Sequence, residues 1–143
     1  MRKICKNEKG QALLEFALVL PLLLMILCGI MDFGWIYYNQ LAIENSAREG
    51  ARFAAVSTAP EAGDTSTADR DNRIKAKVLA VSPNTIKGNM VITITYSDTT
   101  TPVNGDVTVK LTSKLRILTP IAGIFYGGQE KDISAKVIMK VES

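Results

Sequence analysis

Apolar and polar positions follow three different rules along this chain. From Gln11 to Met31 there is almost no alternation, and 21 residues pass with Glu15 as the only charged side chain. A helix that crosses a bilayer needs roughly 20 mostly apolar residues, so this stretch predicts a spanning helix over 11–31. Pro21 falls inside it, where a membrane helix tolerates a kink. After Met31 the rule changes. Ile36, Ile43, Ala47, Ala51, Ala54 and Ala55 recur at three-, four- and seven-residue spacings, with no proline before Val56, as one apolar helical face requires. The two stretches merge into one predicted helix from Ala12 to Val56, ~68 Å long at 1.5 Å per residue, half of it embedded in lipid and half projecting.

The third rule is strict alternation. Met90, Ile92, Ile94 and Tyr96 form one set, Val107, Val109 and Leu111 a second that Leu115 and Ile117 continue, and Ile133, Ala135, Val137, Met139 and Val141 a third. Period two of this kind predicts three half-buried antiparallel strands, with lysines on the wet face. Pro102 and Asn104-Gly105 turn the chain between the first two. Ser57 to Asp71 is polar and carries Pro60 and Gly63, so it reads as a linker. Asn72 to Val81 sets Ile74, Val78 and Val81 on one face of a short helix that ends near Pro83. The apolar connection 118–128 either tucks Ile121, Ile124 and Phe125 beneath the sheet or presents an assembly surface, and the tucked arrangement is expected. Three strands leave one sheet face bare, and the outer half of the long helix has the stripe to cover it. The expected fold is therefore α+β: a long N-terminal helix, first transmembrane and then protruding, packed on a small antiparallel sheet with one or two short helices. Its organisation is a leader over 1–10, the long helix over 11–56, the linker over 57–71 and an exported domain over 72–143.

Charge adds a direction. Arg2, Lys3, Lys6 and Lys9 against Glu8 give the first ten residues +3, the formal charge of the whole chain. The positive-inside bias holds this leader in the cytoplasm, and Phe33, Trp35, Tyr37 and Tyr38 form an aromatic belt at the far interface. The chain is expected to cross a bacterial inner membrane once, with its C-terminal domain periplasmic or extracellular. Since the remaining residues are neutral overall, nucleic acid is not an expected partner.

Candidate chemistry is sparse. There is no histidine, hence no histidine-based triad and no histidine-ligated zinc. Cys5 and Cys28 are the two cysteines, one in the leader and one in the apolar run, and no disulfide between them is expected. Gly-x-x-x-x-Gly-Lys, Ser-x-x-Lys and Cys-x-x-Cys motifs are all missing. Asp64, Asp69 and Asp71 lack calcium-loop spacing and are interrupted by Arg70. The expectation is a protein that is not an enzyme and carries no cofactor or metal.

Processing remains to be placed. A cleaved secretory signal needs small residues after the apolar run, and Ile30-Met31-Asp32-Phe33-Gly34-Trp35 is bulky. A lipoprotein signal at Cys28 needs a small residue where Leu27 stands. A cut before the apolar run, between Gly10 and Gln11, fits best, because it makes the costly carboxylate of Glu15 the fifth mature residue. Gly10-Gln11-Ala12-Leu13-Leu14-Glu15-Phe16 resembles the cleavage motif of type IV prepilins. Glu15-Phe16 followed by Leu20-Pro21-Leu22-Leu23-Leu24 is similar to the TadE-like pseudopilins of tight adherence (Tad, or Flp) pili, although Gln11 replaces the Phe or Met of classical pilins. Ser46-Ala47-Arg48-Glu49-Gly50-Ala51-Arg52-Phe53-Ala54-Ala55 resembles the alanine-arginine segment of the same family. The resemblance implies a minor pilus subunit cut by a prepilin peptidase. It also implies other pilin or pseudopilin subunits, an inner-membrane assembly platform and the lipid bilayer as partners, with Glu15 and Phe16 serving processing and assembly. Ala47, Ala51, Ala54 and Ala55 form a packing seam, against either this chain's own sheet or a neighbouring subunit. Arg48 and Arg52 read as a solvated face, with Glu44 placed to pair with Arg48. The competing reading is a signal-anchored periplasmic binding module unconnected with pili.

Overall fold

A computed structural model describes residues 8–56, 67–97 and 105–141. The elements run α1 (Glu8–Val56), α2 (Thr67–Val81), α3 (Asn84–Lys87), β1 (Val91–Tyr96), β2 (Asp106–Arg116), α4 (Pro120–Tyr126) and β3 (Glu130–Lys140). The fold is α+β, a long N-terminal helix on a three-stranded antiparallel sheet with short helices around it. Leader residues 1–7, linker residues 57–66 and the turn residues Pro102 and Asn104 lie outside the described residues.

Two helices begin earlier than periodicity predicts. α1 starts at Glu8 instead of Ala12 and reaches 49 residues. α2 starts at Thr67, so the last part of the expected linker is helix, with Asp69 in its first turn. An acidic side chain stabilises a first turn through the positive end of the helix dipole, which apolar periodicity does not register. At its other end α2 departs from the pattern again. Ile74 and Val78 are buried, but Val81 is 43% exposed and Ser82 takes the next inward position, its hydroxyl donating to the Val78 carbonyl at 2.7 Å. Pro83 stops the helix and the chain restarts as α3, which buries Ile86. The sequence pattern did not predict α3; four residues are too few to show a period.

The strands lie in the order β1-β2-β3. Their register sets Ile92, Leu111 and Ala135 in one row and Ile94, Val109 and Val137 in the next. Val107, Val109, Leu111 and Leu115 on the central strand are buried, while Lys110 and Lys136 point to solvent. The outer half of α1 covers the apolar face with Ile36, Ile43, Ala47, Ala51, Ala54 and Ala55, all buried in one cluster with the sheet, Ile74 and Val78. Small residues allow the approach to be close. A Cβ on Gly50 would stand 2.4 Å from Val78 Cγ2 and 3.7 Å from Val109 Cγ1, so α1 and α2 meet across a bare glycine.

Polar bonds fix the helix along its length. Buried Asp32 accepts the backbone N–H groups of Leu118 and Thr119, both at 3.1 Å, and the Thr119 hydroxyl. Trp35 Nε1 donates to the Arg116 carbonyl at 3.2 Å, and Gln40 Nε2 to the Ser134 carbonyl at 3.1 Å. Thr85 donates its hydroxyl to buried Asn39 at 2.7 Å, and Ser113 donates to the Ile86 carbonyl at 2.7 Å. At the far end Arg70, itself buried, donates to the Ala54 carbonyl at 2.9 Å, satisfying one of the acceptors a helix C-terminus leaves open.

The connection after β2 differs from the tucked arrangement. A short helix forms, but Ile124 is 81% exposed and Leu118 and Tyr126 are exposed as well. The side chains of Ile121 and Phe125 lie outside the described ones.

Three outcomes follow from this packing. Gly50→Leu is expected to lower the thermal midpoint of the full-length protein in detergent, since overpacking typically costs about 1–3 kcal/mol. Val78→Ala combined with Gly50→Ala should cost less than the two changes summed, and additivity would refute a close contact there. Asp32→Ala leaves two amides and a hydroxyl without their acceptor, at about 1–3 kcal/mol per buried group. Amide exchange at Leu118 and Thr119 should accelerate; unchanged exchange would show that the carboxylate does not hold them.

Candidate functional site

The N-terminal half of α1 stands apart from everything the fold encloses. Every residue from Gly10 to Met31 is exposed except Cys28, which is half-buried. Leu13, Leu14 and Leu18 each expose more than two thirds of their surface, and Phe16 exposes 62%. Pro21 is accommodated within the helix. An apolar surface of this length left open to water would be untenable, and α1 is long and apolar enough to cross a membrane.

Within that surface lies one carboxylate. Gln11 Nε2 donates to Glu15 Oε1 at 3.3 Å, a single neutral donor one turn away. A carboxylate has two oxygens and room for several donors, so most of its capacity is turned outward. Gly10 and Gln11 are helical, so the bond between them sits in the first turns of α1. Glycine weakens a helix by about 1 kcal/mol relative to alanine, and a helix end opens more readily than its middle.

The alanine seam has the opposite character. Ala47, Ala51 and Ala54 have no exposed surface and Ala55 has 5%; all face this chain's own sheet and α2. The arginines lie on the other side of the helix. Arg52 meets Glu49 at 2.8 Å, and Lys77 approaches the same carboxylate at 3.7 Å. The Arg52 hydrogen bond, against a smaller opposing effect of burial, holds the Glu49 carboxyl below its usual range. Being solvent-exposed, these pairs contribute little to stability. Glu44 does not pair with Arg48: its carboxylate takes the Gln40 amide at 3.0 Å, because Gln40 is drawn to that face by its second bond to Ser134.

The aromatic cluster divides. Phe33 and Tyr37 stack with ring centroids 6.2 Å apart, and with Tyr38 they face outward. Trp35 turns inward to its bond with Arg116, since position 35 lies on the helix side that carries Asp32, Ile36 and Asn39. Of the aspartates of the expected linker, Asp71 is engaged in the fold. Asp71 accepts the Tyr96 hydroxyl at 2.7 Å, and the Arg70 guanidinium stands 5.0 Å from the Tyr96 ring centroid. Burial, reinforced by Asp71, pushes the Tyr96 hydroxyl well above the usual phenol range, so it stays a donor. Asp64 lies outside the described residues.

What this site presents is an apolar helix surface with one under-used carboxylate near its start. No curated protein and no solved structure matches the chain. The model of the family described as TadE-like protein matches residues 10–52, from the glycine that precedes the apolar half to Arg52 within the seam, and over that stretch the chain is similar to that family.

Proposed function

We propose that this chain is a pseudopilin-like minor subunit of a Tad/Flp pilus or a related secretion apparatus. In this reading it crosses the inner membrane once, with the leader cytoplasmic and the α+β domain outside. A prepilin peptidase cuts between Gly10 and Gln11, which makes the chain a substrate and not an enzyme. Its partners are other pilin or pseudopilin subunits, the inner-membrane assembly platform and the bilayer itself. The observation that carries the proposal is the division of α1: the TadE-like stretch holds a bare apolar half bearing Glu15 and the first part of a seam, Ala47 and Ala51, already occupied by the chain's own domain. Contacts with neighbouring subunits then fall to the bare half.

Cleavage would create a cationic amine at Gln11. Two opposite charges ~4 Å apart attract by about 4 kcal/mol at an effective dielectric of 20, and desolvation removes much of that. The pair acts mainly on register. A subunit entering out of step leaves the amine and a neighbour's Glu15 unpaired in lipid, and that costs more than the pair gains.

Gly10→Leu should accumulate as a full-length precursor in the membrane fraction, seen as an unshifted mass at the N-terminus. Trimming at the wild-type rate would move the cleavage site elsewhere. Glu15→Ala should be inserted and processed normally, yet should not co-purify with the other pilus components or support surface piliation. Glu15→Asp, with its carboxylate drawn back by one methylene, should be partly defective. Normal piliation in Glu15→Ala would remove the register role and favour a plain signal anchor.

A further inference from the structure

The polar clamp at Asp32 places the connection between β2 and β3 at an unusual height. Asp32 is the first residue after the apolar run, and its carboxylate holds the amides of Leu118 and Thr119. One residue of helix rises about 1.5 Å, so the chain at 118–119 is pinned level with the end of the span. α4 begins at the next residue, Pro120, and packs on α1. Cys28 lies one helical turn below Asp32 on the same side, and among Gly10 to Met31 it is the one residue that is partly covered. The cover on that side reaches below the clamp, to a depth that belongs to the spanning segment.

The composition of the connection suits that depth. From Ile117 to Gln129 there is no charged side chain. Leu118, Ile124 and Tyr126 turn 54%, 81% and 49% of their surfaces outward, away from the sheet they follow. Directly after the connection, Lys131 sets its ammonium 4.6 Å from the Tyr126 ring centroid. A tyrosine with a lysine beside it is the pairing favoured at headgroup level, with the ring body in the apolar layer and both polar tips in water.

We infer that α4 and Leu118 dip into the leaflet facing the domain, giving the protein a second membrane contact beside its spanning helix. The occupant of this exposed apolar surface is lipid at the boundary between headgroups and acyl chains. Lipid there also accounts for the outward turn of Ile124, away from the core. The inference rests on the reading that α1 crosses a bilayer.

The test uses full-length protein in vesicles of phosphatidylethanolamine and phosphatidylglycerol, with Cys5→Ser and Cys28→Ser to leave a single thiol. A nitroxide is attached in turn at Leu22→Cys in the span, at Ile124→Cys on α4, and at Lys140→Cys, which pairs with Asp106 at the opposite end of the sheet. Collision with oxygen, which concentrates in lipid, is compared with collision with a water-soluble nickel chelate. The ratio at position 124 should exceed that at 140 several-fold and fall short of that at 22. A ratio at 124 equal to that at 140, with 22 in lipid, overturns the inference and leaves the spanning helix intact. Shielding of 124 from both reagents means that protein covers it, and overturns it as well. An aqueous signal at 22 removes the spanning helix and the inference together.

Discussion

A three-stranded sheet has one apolar face and very little to cover it with, and in this protein nearly all the cover comes from the outer half of a helix whose first half is bare and apolar. α1 has two characters: its first half is bare, apolar and long enough to cross a membrane, and the protein core encloses one side of its second. The sheet cannot bury Val107, Val109, Leu111 and Leu115 without residues 36–55, and those residues are helical because the chain never breaks after the apolar run. Everything else adjusts to this sharing. α2 and α3 fill the flank that a single helix leaves open, and Gly50 lets α2 come near enough to close it. The cost of the arrangement is that the helix must be held at a fixed height and angle, and the bonds from Asp32, Trp35, Asn39 and Gln40 accomplish that.

The parts legible in the sequence were those with a long period. Alternation placed all three strands with the correct inward parity, and a seven-residue rhythm of Ile and Ala marked the face of α1 that is buried. What escaped was set by single residues acting across the fold. Asp32 reads in sequence as the polar end of an apolar run, and only the return of residues 118–119 to its side explains its burial. Trp35 reads as one of four belt aromatics, though its place beside Ile36 and Asn39 on the helix was a usable sign that it faces the core. Ser82 and α3 arise from a proline that ends one helix and starts another within a few residues. In the candidate site, the apolar half and Glu15 stood out from composition alone. The seam was legible as a seam, but its partner was not, because small residues suit a neighbour's helix and the chain's own sheet equally.

Four of the polar groups buried in this fold, Asp32, Asn39, Arg70 and Ser113, each tie together two segments distant in sequence. Asp32 and Arg116 bracket the end nearest the apolar half of α1 through the bonds to residues 118–119 and Trp35, and Arg70 closes the far end on Ala54. Buried hydrogen bonds of this kind add modest net stability but are expensive to leave unmade, so they select one arrangement among several that would bury similar apolar area. The domain is in this sense not complete from residue 72 onward. Its structural boundary lies at Asp32, inside the long helix, and separating the helix from the sheet at Tyr38 would strip away Asp32, Trp35 and Ile36.

The unbroken course of α1 through that boundary also fixes an azimuth. With a helical step of about 100°, Glu15 lies seventeen residues before Asp32 and so about 100° around the axis from it. The carboxylate therefore emerges on the flank of the subunit, neither beneath the folded domain nor diametrically opposite it. α1 is helical without a break from Glu8 to Val56, through Pro21, so the two halves turn together. Turning the domain turns Glu15 with it, like a key bit on its shaft. Any array built from such subunits would inherit a handedness from this angle, because each carboxylate would seek its neighbour to one particular side.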